Sequence, residues 1–142
     1  NYDRAKKTRQ VCVSDDGGST WTDQRHDDTL IEPICQASIR RTAWPTHDRA
    51  GVILFSNPAS RDSRIHMTVR GSFDGGVTWP VVRQLHAGPS AYSSLVGRPD
   101  GGAFCLYEAD AYGRIVLADL PARWLGTDGS ARPIPRDNSS MT

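Results

Sequence analysis

The sequence predicts an all-β fold, and three observations carry that prediction. Two segments, Ser14-Asp-Asp-Gly-Gly-Ser-Thr-Trp21 and Ser72-Phe-Asp-Gly-Gly-Val-Thr-Trp79, share the pattern Ser-x-Asp-x-Gly-x-Thr-Trp. Short alternating or apolar segments recur between Gly, Pro and Asp punctuation. No window of a dozen residues carries a helical stripe. The repeated octapeptide has a mechanical reading. Asp16 and Asp74 fold a carboxylate back onto neighbouring amides, Gly18 and Gly76 supply positive φ, and Trp21 and Trp79 drop an aromatic onto the layer below. Such a unit pins a hairpin turn.

Taken in chain order, the strand-like segments are Arg9 to Ser14, Cys35 to Arg40, Gly51 to Ser56, His66 to Phe73, Val81 to Leu85, Tyr92 to Val96, Gly102 to Glu108 and Arg114 to Asp119. Pro121 to Leu125 has room for one helical turn. The order between the two Asp turns is that of a four-stranded antiparallel meander, with each Asp turn between the third and fourth strands. Propeller blades take roughly 40–50 residues. One complete blade therefore fits residues 33 to 87, with a partial blade on either side, and a closed ring needs more than this chain holds. Residues 126 to 142 are polar, rich in Pro and Gly, and without periodicity, as expected of a disordered tail. The tail carries the glycosylation triplet Asn138-Ser139-Ser140.

Composition excludes several function classes. The 142 residues include 17 basic and 16 acidic side chains, a net charge of +1. That near-cancellation gives no electrostatic case for nucleic acid or an anionic membrane surface. No apolar run approaches the roughly 20 residues that span a bilayer. The opening Asn1-Tyr2-Asp3-Arg4 has neither an initiator methionine nor a signal-peptide core, so the chain reads as a piece of something longer. Cys12, Cys35 and Cys105 sit among strand-like neighbours and read as buried free thiols. No Cys-x-x-Cys or His-x-x-x-His spacing is present, and His26-Asp27-Asp28 reads as a solvated loop, so neither a metal nor another cofactor is expected.

The chemistry enters with the second half. Leu30-Ile-Glu-Pro-Ile-Cys-Gln-Ala-Ser38, Phe55-Ser-Asn-Pro-Ala59, Arg64-Ile-His-Met-Thr-Val-Arg70, Gly88-Pro-Ser-Ala-Tyr-Ser93 and Cys105-Leu-Tyr-Glu108 occur in this order. Over roughly residues 1 to 125 the chain resembles the C-terminal part of an exo-α-sialidase of the bacterial and animal type. The resemblance implies a share of a six-bladed β-propeller and release of terminal sialic acid from oligosaccharides, glycoproteins or gangliosides. It places the catalytic tyrosine on Tyr92, one of three carboxylate-clamping arginines on Arg64, a supporting glutamate on Glu108 and a sugar-pocket glutamine on Gln36.

The implied chemistry is coherent. Sialic acid carries a carboxylate on its anomeric carbon, so an attacking Asp or Glu meets like-charge repulsion, whereas tyrosine approaches as a neutral group; sialidases are the tyrosine exception among retaining glycosidases. A free phenol, with a pKa of about 10, needs a carboxylate base beside it. An arginine fork binds a carboxylate through two parallel hydrogen bonds and keeps its charge. Arg61 and Arg70 lie near Arg64 and compete with it on local sequence. Arg70 shares its strand parity but is expected to be peripheral in the blade. Glu108 ends an apolar strand and calls for a cationic partner. Gln36 reads nearly as well as a strand-end residue bonding backbone; the rival reading of Tyr92 is a packed strand residue with its hydroxyl capped, which the surrounding motif disfavours.

The resemblance also says what is absent. The general acid/base aspartate, the glutamate that activates the tyrosine, and two clamp arginines fall before residue 1, the second of these arginines immediately before Asn1. The isolated chain is therefore expected to be inactive without the N-terminal blades, and to expose two flanks that those blades cover. The rival reading is a non-catalytic Asp-box propeller that binds glycans or proteins. The joint presence of Tyr92, Arg64 and Glu108 favours the enzyme.

Overall fold

A computed structural model describes residues 5–128, and it is built almost wholly of antiparallel strands. β1 (Thr8–Val11) and β2 (Arg25–Ile31) form a two-stranded sheet. β3 (Ser38–Ala43), β4 (Val52–Pro58), β5 (Ile65–Ser72), β6 (Val81–Gly97), β7 (Ala103–Ala109) and β8 (Arg114–Leu120) form a second, six-stranded sheet in chain order. A single turn of helix, α1 (Ala122–Leu125), follows. Among the described residues, no helix is long and apolar enough to cross a membrane.

The sheet curls because β6 changes partner along its length. Its first part pairs with β5, from Val81 opposite Gly71 to Pro89 opposite Ile65, and its second part pairs with β7, from Ser90 opposite Ala109 to Gly97 opposite Ala103. The sequence predicts two strands here, ending at Leu85 and restarting at Tyr92. The chain instead runs through as one strand of 17 residues. Proline is tolerated within it because Pro89 falls where one ladder ends and the other begins, and irregular register on both sides absorbs its missing N–H.

β4 shows why this architecture is dictated by pattern. All seven of its residues are buried. Val52 and Leu54 face one core with Met67, Val69, Leu95, Cys105 and Tyr107, while Ile53 and Phe55 face the other with Leu30 and Trp79. The period of two thus serves two apolar layers at once.

Both Asp turns close on themselves in the same way. Asp74 Oδ1 accepts from Ser72 Oγ (2.8 Å) and the Thr78 amide (2.9 Å), Oδ2 accepts from Thr78 Oγ1 (2.6 Å), and Ser72 Oγ accepts from the Gly76 amide (2.8 Å). Asp16 repeats this with Ser14, Thr20 and Gly18. Gly75 and Gly76 hold φ of 77° and 92°, which L-side chains rarely adopt. The turns join β1 to β2 and β5 to β6.

The tryptophans diverge. Trp79 is 7% exposed, packs 5.9 Å from the Phe55 ring and donates its indole N–H to Asp27 Oδ2 (3.0 Å). Trp21 is 61% exposed and donates to the Gly18 carbonyl of its own turn, because no neighbouring layer lies against it among the described residues.

Two further expectations are corrected. His26, Asp27 and Asp28 are not a solvated loop but lie in β2, a strand whose charged residues hide its alternation, and Asp27 is buried as acceptor for Trp79. Cys35 and Cys105 are buried free thiols, with burial pushing Cys105 up to about 11, but Cys12 is only half-buried because it follows the end of β1. At the start of the expected tail, Gly126 at φ 71° turns the chain back and buried Thr127 donates to the Gly101 carbonyl (2.6 Å). The rest of that tail, including the triplet at Asn138, lies outside the described residues.

Two outcomes follow. Hydrogen bonds from the Thr20 amide and hydroxyl and from Ser14 hold Asp16 at about 2, below the roughly 3.9 of an unfolded aspartate. Its stabilising contribution is present above about pH 4 and is lost as pH falls through about 2. A carboxylate NMR titration should show that low midpoint for Asp16. Asp27→Ala strips the Trp79 indole of its acceptor, and urea unfolding should register a loss of about 1–3 kcal/mol.

Candidate active site

Four of the loops and strand segments bearing the predicted site residues meet at one end of the sheet, opposite the second Asp turn. The segment from Glu32 to Gln36 enters β3, the Ala59–Arg64 loop enters β5, the middle of β6 carries Tyr92, and the end of β7 carries Glu108. Each is fixed by identifiable bonds.

Glu32, fully buried, pairs with Arg9 Nη2 at 3.1 Å and accepts from the Cys35 amide at 3.4 Å, while Arg9 also donates to the Cys35 carbonyl. Burial lowers the Arg9 pKa against the opposing pull of Glu32. This pins the entry to β3 onto β1 and holds Ile34 at φ 58°, a strained conformation for a β-branched residue. Gln36 then reaches across. Its Oε1 accepts from the Ser93 amide (2.9 Å) and its Nε2 donates to the Ser93 carbonyl (3.0 Å), imitating a strand partner for β6. Of its two sequence readings, the backbone-bonding one is what its amide does here.

β6 changes ladder where the site loops attach. The Ser90 amide donates to the Arg64 carbonyl (2.8 Å), and the Pro89 carbonyl accepts from the Asp110 amide (2.8 Å). Tyr92 follows, half-exposed at 49%, with its amide donating to Glu108 Oε2 at 3.0 Å. Among the described residues the partner of Glu108 is this amide, and the cation that its sequence context calls for is expected from the part of the family pattern that precedes residue 1. Charge-assisted hydrogen bonds to backbone N–H are strong enough to offset partial burial of the carboxylate.

The three candidate arginines separate cleanly. Arg61 Nη1 donates to the Lys6 carbonyl (2.6 Å), which ties the Ala59–Arg64 loop to the chain before β1. Arg70 is not peripheral but buried, with Nη1 3.4 Å from Asn57 Oδ1 and its pKa lowered by burial against the attraction of Asp27. Arg64 is exposed, and its Cζ lies 5.6 Å from the centre of the Tyr92 ring. Its Nη1 donates to Tyr112 Oη (2.9 Å) and its Nη2 to the Ile34 carbonyl (3.4 Å). The hydrogen bond it donates to Tyr112 heads the causes that raise the Arg64 pKa, so the guanidinium is held charged. A cleft of about 130 Å³ lies beside it, lined by Arg64, Pro89, Ser90, Ala91, Ala111 and Tyr112.

Arg64, Tyr92, Glu108 and Gln36 therefore belong to one cluster, linked through Tyr92 and its neighbour Ser93. Sequence reasoning misses Tyr112, Ile34 and Ser90. Only Tyr112 leaves a signal, an aromatic within the Asp110 to Gly113 turn. Chemically, the cluster offers a bracketed, permanently charged guanidinium with unused donors beside a half-exposed phenol, and a carboxyl group that braces the backbone of that phenol.

Curled antiparallel meanders with Asp-pinned turns define the class: this is a portion of a β-propeller. The chain matches no family model. It is 42% identical over 122 residues to a sialidase of Micromonospora viridifaciens, a match covering 83% of this chain and 18% of that protein. A sialidase of Bacteroides fragilis is 36% identical over 80 residues, 55% of this chain and 15% of its own length. Among solved structures, the Hadza microbial sialidase Hz136 superposes with a TM-score of 0.72 at 35% identity over 84% of this chain and 24% of that one. The intramolecular trans-sialidase of Ruminococcus gnavus gives 0.69 at 19% identity over 84% of this chain and 29% of its own, a likeness of fold. The chain belongs to the sialidase family and is part of its six-bladed propeller, spanning less than a third of the length of these relatives.

One local consequence is measurable by hydrogen exchange. Gln36→Ala leaves the Ser93 amide without its acceptor, and its exchange should accelerate by about tenfold, the equivalent of one ordinary hydrogen bond.

Proposed function

We propose that this chain is the C-terminal part of an exo-α-sialidase, with residues 1–125 completing a catalytic propeller whose remaining blades lie elsewhere in the protein. The observation that carries the reading is the placement of the Arg64 guanidinium 5.6 Å from the Tyr92 ring, at a cleft, on a strand that Glu108 and Gln36 both brace. The substrate is a terminal sialic acid on an oligosaccharide, glycoprotein or ganglioside.

In this reading the sugar carboxylate docks on Arg64, which sets the anomeric carbon over Tyr92. Tyr92 Oη attacks that carbon as the glycosidic bond breaks, forming a tyrosyl-sialoside. An acid from the rest of the protein protonates the departing oxygen. Water then displaces the tyrosine, so the second inversion restores the starting configuration. Glu108 holds the Tyr92 amide, and Gln36 fixes the strand beside it. Base and acid are both external to these residues, so the isolated chain does not turn over substrate.

A fluorogenic sialoside tests the reading. The full-length protein should release sialic acid with the α-configuration in the first product seen by NMR. Tyr92→Phe should lower kcat by roughly a thousandfold or more while free sialic acid still binds. The purified 142-residue chain should release none. Sialoglycan binding by the full-length protein without any turnover would instead identify a non-catalytic propeller.

A further inference from the structure

The β7–β8 turn holds three consecutive left-handed residues, Asp110, Ala111 and Tyr112, at φ of 52°, 53° and 72°. None is glycine, and each such residue costs about 1–2 kcal/mol. A conformation of this kind persists only where its surroundings over-determine it. Here they do. The Asp110 amide donates to the Pro89 carbonyl, the Gly113 amide to the Asp110 carbonyl (3.1 Å), and the Asp110 carboxylate binds Arg114 Nε and lies 3.2 Å from His86 Nε2.

Burial does not explain this investment, because Tyr112 remains 60% exposed. What the turn achieves is a contact: Tyr112 Oη accepts from Arg64 Nη1 at 2.9 Å. The second acceptor on Arg64, the Ile34 carbonyl, also comes from a left-handed residue, on a different loop. Two strained loops thus converge on one guanidinium. Arginine has five N–H donors, and these contacts use one on each terminal nitrogen, leaving further donors for a planar anion. The buried Ser90 Oγ, with no hydrogen-bond partner among the described residues, lines the same cleft.

We infer that Tyr112 is a positioning residue for substrate-carboxylate recognition: with the Ile34 carbonyl it brackets Arg64 so that the guanidinium is set beside Tyr92 before substrate arrives. The inference rests on Arg64 being the carboxylate clamp of the proposed sialidase site. The neutrality of the phenol matters. It orients the arginine without neutralising it, whereas a carboxylate at residue 112 would form an ion pair with Arg64 and compete with the sugar carboxylate.

The test uses the full-length protein and a fluorogenic sialoside. Tyr112→Phe keeps the ring and removes the acceptor. KM should rise about tenfold with kcat changed far less, and the melting temperature should match wild type, since the residue is exposed. Tyr112→Glu should raise KM further, with part of the excess relieved by salt as the competing ion pair is screened. A wild-type KM in Tyr112→Phe, a loss carried by kcat alone, or a Tyr112→Glu variant no worse than Tyr112→Phe would overturn the assignment. If Tyr112→Phe melts early, NMR of the labelled Arg64 guanidinium decides: unchanged signals overturn the bracket, and averaged signals support it. Wild-type protein that neither cleaves the sialoside nor binds sialic acid would sink the sialidase reading itself, and the bracket with it. Wild-type turnover together with an unaffected Tyr112→Phe would sink the bracket alone.

Discussion

The change of partner within β6 is the constraint on which the rest of the structure depends. One strand must complete the ladder of β5 and then open the ladder of β7, and it does so at Pro89 and Ser90. At that point two backbone groups bond sideways rather than along a single ladder, the Pro89 carbonyl to the β7–β8 turn and the Ser90 amide to the loop before β5. Arg64 and Tyr112 are consequently delivered from opposite sides to the residue two places further on, Tyr92. A proline that weakens an ordinary strand is here suited to its position, because it marks where the hydrogen bonding is handed over.

The two ends of the sheet use their polar residues differently. At the Asp-turn end, side chains satisfy the backbone of their own turn, and Asp74 stays ionised because hydrogen bonds from Thr78, Ser72 and Val77 outweigh the burial that opposes it. At the site end, the bonds run between elements distant in sequence, Gln36 to Ser93, Arg64 to Tyr112 and Tyr92 to Glu108. Between these ends, Asp27, Arg70 and Asn57 form a buried polar layer under Trp79 that joins β2 to the larger sheet. Removing one member leaves the others desolvated and unpaired, which is why such a layer fixes the relative placement of two sheets more than it adds to stability.

Much of this was legible in the sequence for local reasons. The apolar run of β4, the alternation in β5 and β7, and the repeated Asp octapeptide are signals confined to a few consecutive residues. The all-β reading and the turn positions depend on nothing else. β2 is hidden in the sequence because Arg25, His26, Asp27 and Asp28 look solvated until a tryptophan from another element is placed over Asp27. β6 reads as two strands because Gly88-Pro89 is locally a breaker, and only the two flanking ladders make it continuous. The identities of Tyr92, Arg64 and Glu108 were carried by resemblance, and their mutual geometry needed the fold. Ile34 leaves no trace in the sequence, since left-handed backbone at a non-glycine residue is imposed by tertiary contacts, and Tyr112 shows only as an aromatic within a turn.

Spatial order in the six-stranded sheet is also chain order, from β3 through β8. Every ladder there closes on an immediate neighbour, so the loops that the ladders must close are short for a β protein. Hairpins of this kind form in about 1–10 μs, and the turn at Asp74 starts one with its bonds already paired. The cluster around Tyr92 cannot be assembled on that schedule. It draws on residues from Ile34 to Tyr112, and it acquires its geometry only after the successive hairpins have docked. The last part of this chain to become ordered is therefore the part that carries the proposed site.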